Sequence, residues 1–138
     1  MNNDNRYTIE CPTWLEVPNC IKQLSSTLLN KVIPAQKQSN KVWDIIRIEI
    51  WEDTGRFIAF PSTRTFEERT DVSVAQIVCK EIEEQISAID YSNLSEDEQD
   101  KEVNAIVTKM ATSLKEYMPI NVEFEYEIYN QDGYKIAI

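Results

Sequence analysis

Three glutamates alternate near the end of the chain, at Glu123, Glu125 and Glu127 in the run NVEFEYEIY. In an extended strand alternate side chains share one face, about 7 Å apart, so these carboxylates form a row of like charge. Two chemistries use acids in this way. Acid–base catalysis needs two of them at a fixed separation, and recognition of a cationic surface needs several facing outward. Tyr129 continues the same face, and amphipathic rings of this kind are enriched where proteins bind one another.

Other reactive residues are few. The absence of histidine removes the commonest general base, the histidine-paired nucleophiles and most zinc sites. Cys11, Cys20 and Cys79 lack paired spacing and read as buried thiols in a reducing compartment, not as a disulfide framework or a metal knuckle. Cys79 precedes Lys80 but has no histidine to activate it. The two glycines, Gly55 and Gly133, both fall at turns, which leaves none for a phosphate-binding loop. The acidic run Glu96-Asp97-Glu98 lacks the pattern of a calcium loop, and a capped helix start explains it. The expectation is therefore no metal and no cofactor.

The elements that must carry these residues follow from periodicity. Tyr7, Ile9 and Cys11 alternate in a short strand that Pro12 ends. Ile21, Leu24, Leu28 and Val32 recur at helical spacing, which predicts a helix over about 18–33 with Pro18 in its first turn and Pro34 beyond its end. The segment VWDIIRIEIWEDTGRFIAF reads as a hairpin over about 44–60. With Gly55 left-handed in a three-residue loop, Glu52 faces Arg56 and Trp51 faces Phe57 on the outer side. Ile46, Ile48, Ile50, Ile58 and Phe60 then form the inner side.

Val74, Val78, Ile82 and Ile86 predict a second helix over about 71–90, and Val103 to Met118 a third over about 95–118. Ser95 and Glu98 have the spacing of a capping box. A second hairpin spans about 121–138, with Gly133 left-handed, Tyr129 opposite Lys135 and Ile128 opposite Ile136. Lys135 is then diagonal to Glu127, while Glu123 and Glu125 overhang the return strand. The fold class is α+β: residues 1–138 as one domain, an antiparallel sheet built from the two hairpins and three helices on one face.

The net charge of −10 is unevenly placed. Residues 1–70 hold nine acids and nine bases, whereas residues 71–138 hold fifteen acids and five lysines. No basic cluster exists to follow a phosphate backbone, which argues against nucleic acid as a partner. No apolar run reaches membrane-spanning length, and the N-terminal residues lack the build of a signal peptide, so the expected location is the cytoplasm.

In size, acidity and lack of catalytic groups the chain looks like bacterial immunity proteins, which neutralise a toxin by covering it. That resemblance implies a small acidic binding protein and a basic protein partner, such as a nuclease toxin. The residues expected to meet the partner are Glu123, Glu125, Glu127 and Tyr129, with Trp51 and Phe57 as a second, apolar surface. The alternatives are a structural or accessory subunit and a carboxylate-dependent enzyme.

Overall fold

A computed structural model describes residues 6–36, 45–62, 74–119 and 125–136. Five strands form one sheet: β1 (Arg6–Cys11), β2 (Ile45–Trp51), β3 (Arg56–Ser62), β4 (Val74–Cys79) and β5 (Glu125–Asn130), in the order β1-β4-β3-β2-β5. The central pairs β2/β3 and β3/β4 are antiparallel, and the outer pairs β1/β4 and β2/β5 are parallel. The α+β class is as expected, but the sheet is mixed and is not assembled from two antiparallel hairpins alone.

The helices are α1 (Val17–Thr27), α2 (Ile33–Gln36), α3 (Lys80–Ser87) and α4 (Glu96–Tyr117). One face of the sheet presents Ile46, Ile48, Ile50, Phe57, Ala75, Ile77 and Ile128 to Ile21, Leu24 and Leu28 of the first helical region and to Met110 and Leu114 of α4. A fully buried isoleucine, leucine, phenylalanine or methionine among these contributes about 1.5–3 kcal/mol of transfer free energy. The other face alternates Arg47, Glu49 and Gln76 with its neighbours and is withdrawn from solvent too, since Ile45 and Phe60 are buried on it.

The helix expected over 71–90 is in fact a strand followed by a short helix, for those of its residues that the structure describes. Val74 to Cys79 is an unbroken run, VAQIVC, in which helical and extended spacing fit equally. Burial on both faces selects the strand, the usual pattern for a sheet interior. Ala75 and Ile77 enter the helix-side core while Val74 and Gln76 serve the other face. The chain turns helical only at Lys80, where the mixed sequence KEIEEQIS buries Ile82 and Ile86 alone.

The first hairpin differs from expectation by one residue. Glu52–Thr54 continues as a 3₁₀ turn before Gly55, which is left-handed at φ 64°. Trp51 therefore pairs with Arg56 and Ile50 with Phe57. A single extra loop residue turns the whole of β3 over, so Phe57 faces the helices and Ile58 and Phe60 face away.

The first helix also runs past its expected end. Leu28–Val32 is a π turn, in which the Ile33 amide donates to the Leu28 carbonyl, and α2 carries Pro34 inside it. Widening the helix by one residue relieves the clash that a proline ring makes with the preceding turn.

The third helix matches its expected bounds. The Glu98 amide donates to the Ser95 hydroxyl at 3.2 Å and the Ser95 amide to the Glu98 carboxylate at 3.4 Å, which completes the capping box. The second hairpin also keeps its derived register. Tyr129 bridges Lys135, the Ile136 amide donates to the Ile128 carbonyl at 2.8 Å, and Gly133 is left-handed at φ 88°.

Candidate functional site

Parallel pairing of β2 with β5 sets Arg47 beside Glu127 and Glu49 beside Tyr129. Partners in register share a face, so these side chains meet on the side of the sheet away from the helices. Arg47 has a 6 % exposed side chain; its Nε donates to Glu49 Oε2 at 3.0 Å and its guanidinium lies 3.7 Å from the centre of the Tyr129 ring. At that distance the cation is attracted to the π face, more so where water is excluded. Trp51 Nε1 donates to the other oxygen of Glu49 at 3.1 Å.

The chain of contacts continues outward. The Tyr129 hydroxyl donates to Glu127 Oε1 at 2.6 Å, and Lys135 Nζ lies 3.4 Å from Glu127 Oε2. Burial raises the Tyr129 pKa, and its hydrogen bond to the Glu127 carboxylate raises it further, against a lowering by Arg47. The phenol therefore stays protonated and donates. Glu49 and Glu127 each use both oxygens, and the two acids are balanced by Arg47 and Lys135. Of the row of glutamates, Glu127 is thus paired within a network and is not an uncompensated charge.

Of the sequence-derived candidates, the structure brings Glu127, Tyr129 and Trp51 into this network. Glu125 is exposed at the start of β5. Glu123 lies outside the described residues. Phe57 does not belong to this face: it is fully buried against the helices, opposite Ile50, because of the one-residue shift in the first hairpin. Glu49 and the central place of Arg47 follow only from the β2/β5 pairing, which joins residues about eighty positions apart.

At the end of the sheet the two hairpin turns touch, where Gln131 Nε2 donates to Asp53 Oδ2 at 3.0 Å. Glu52 beside them is buried, and burial followed by the charges of Asp53 and Asp132 raises its carboxyl pKa, against a lowering by its own backbone amide. Cys11, Cys20 and Cys79 come together from β1, α1 and β4, all buried and unbridged. Burial pushes the Cys11 thiol far up, as do its neighbours Cys20 and Cys79. Such thiols are poor nucleophiles.

Among the described residues most of the remaining acidic surface lies on α3, α4 and the connection between them. Residues 80–117 hold ten acids against four lysines, a balance of −6, and Glu83, Glu84, Glu96, Asp97, Glu98, Asp100 and Glu102 are exposed. Asp90, in the connection between α3 and α4, accepts from the Ser92 and Asn93 side chains at 2.6 Å each. These bonds lower its pKa and keep it ionised, the opposite of what a general acid requires. Among the described residues no cluster of three or more histidine, cysteine or acidic side chains is placed to hold a metal ion, and no helix is long and apolar enough to cross a membrane. Comparison with protein-family models, curated proteins and solved structures finds no match to the chain.

Proposed function

We propose that this is a small cytoplasmic binding protein that inhibits a basic protein partner by covering its surface, in the manner of an immunity protein or antitoxin. The observation that carries this reading is the layered distribution of charge. On the β2–β5 face Arg47 and Lys135 pair with Glu49 and Glu127, while among the described residues most of the excess negative charge stands at exposed positions of residues 80–117. There it is free to steer a cationic partner and to raise the rate of encounter at low salt. The network of Trp51, Glu49, Arg47, Tyr129 and Glu127 is largely withdrawn from solvent and joins β2 to β5 beside the exposed Glu125.

The test is capture of basic proteins on the immobilised chain at low and high salt, repeated with two charge-neutralised variants. One carries Glu125→Gln with Glu127→Gln, and the other carries Glu84→Gln, Glu98→Gln and Glu102→Gln. One basic protein retained at low salt, released as salt rises and inhibited in its own activity, is the expected result. Retention that ignores salt and both variants would instead favour an accessory subunit held through apolar surface, of which Leu15, 90 % exposed, is the clearest instance.

A further inference from the structure

A groove of about 480 Å³ runs between the end of α3 and the first half of α4, within the size range of natural ligand clefts. Its apolar lining comes from Ala88, Ile89 and Leu94 in the connection and from Ala105 and Ile106 on α4. Its charged lining is Asp90 and Glu102, with no base. Glu102, Ala105 and Ile106 stand at helical spacings of three and four, so they present one stripe.

The walls are fastened. Gln99 Nε2 donates to the carbonyls of Tyr91 and Leu94, at 2.8 and 3.0 Å, and Asp90 ties down Ser92 and Asn93. At one end Trp14 reaches from the N-terminal segment, where its indole N–H donates to Gln85 at 3.1 Å and Lys109 sits 4.1 Å over the ring. A preformed groove loses little ordering entropy when it is filled.

We propose that this groove is the docking site for a cationic amphipathic segment of the partner, whose apolar side chains enter between Ala88 and Ala105 while lysines or arginines meet Asp90 and Glu102. The assignment rests on the inhibitory-binding reading above and gives it a place on the molecule. Charge complementarity chooses the occupant. An apolar floor alone would accept many segments, but two acids in the lining, with no lysine or arginine among the lining residues, favour one that carries positive charge around its apolar stripe.

The test titrates the protein with two synthetic helical peptides of equal positive charge, one of leucine and lysine and one of alanine and lysine, by calorimetry and amide chemical shifts. The leucine peptide is expected to bind about tenfold more tightly and to shift amides over 85–94 and 98–106. Ala105→Arg, at an exposed helix position, should abolish that advantage, and Glu102→Gln should weaken both peptides and flatten their salt dependence. Equal binding of the two peptides, shifts confined to the β2–β5 face, or an Ala105→Arg protein that binds as before would overturn the groove while salt-sensitive binding kept the inhibitory reading. No binding of either peptide at low salt would remove both. Self-association dispersed by Ala105→Arg, with no peptide bound, would make the occupant a second copy and refute the cationic partner.

Discussion

The two glycines both have positive φ in hairpin turns, yet their surroundings have little in common. A side chain on Gly133 would meet nothing within 4 Å. A side chain on Gly55 would collide with the carbonyl oxygen of Cys79 and lie 3.0 Å from the amide nitrogen of Glu83. The Cys79 amide donates to the Gly55 carbonyl at 2.7 Å, so the first turn is bolted to the junction of β4 and α3. The second turn is held from within, by the Asn130 side chain accepting from the amides of Asp132 and Tyr134. A turn residue can thus be needed for its own dihedral angles, or for those together with what lies against it.

The largest expected effect is for Gly55→Ala, about 3 kcal/mol of lost stability in urea unfolding, from left-handed strain plus displacement of the β4–α3 junction. Gly133→Ala should lose only about 1 kcal/mol, the conformational part alone. Equal losses at the two positions would break the contrast between them.

Glu52 offers a pH-dependent version of the same comparison, because it is the buried acid of the tighter turn. Its folded pKa is raised, so the folded state holds the proton more firmly than the unfolded chain. The associated stability is present below the unfolded value, about 4.3, and is lost as pH rises through the folded value. Glu52→Gln should therefore raise the melting temperature at pH 7 and converge on the wild type at pH 4. A variant that is less stable at pH 7 would show that the carboxylate has a role in holding the turn. The smallest effect is the link between the turns: an Asp53→Ala, Gln131→Ala double-mutant cycle should give a coupling of at most about 0.5 kcal/mol, as for exposed hydrogen bonds.

What the sequence reveals of this fold divides along the same line. Local chemistry is legible. Ser95 and Glu98 mark the start of α4, Asn130 and Gly133 set the second turn, and its register then puts Lys135 within reach of Glu127. Choices that depend on distant residues are not. A glycine with positive φ fits a loop of three or four residues, and the contact of Gly55 with Cys79, far along the chain, accompanies the longer one. The run at Val74–Cys79 suits either secondary structure until both of its faces are covered. Parallel pairing leaves no hairpin signal, so the meeting of Arg47 with Glu127 and Tyr129 has no local trace. The acids and the Lys135 partner of Glu127 are legible in the sequence, and the part played by Arg47 is not.

The convergence of Cys11, Cys20 and Cys79 has a practical meaning. Each thiol belongs to a different element, and none is more than 6 % exposed while β1, α1 and β4 remain assembled. A thiol-specific reagent added to the native protein therefore acts as a clock for the opening of that edge of the molecule. In dilute denaturant, simultaneous labelling of all three would identify β1, α1 and β4 as one cooperative unit. Staggered labelling would give the order in which they separate.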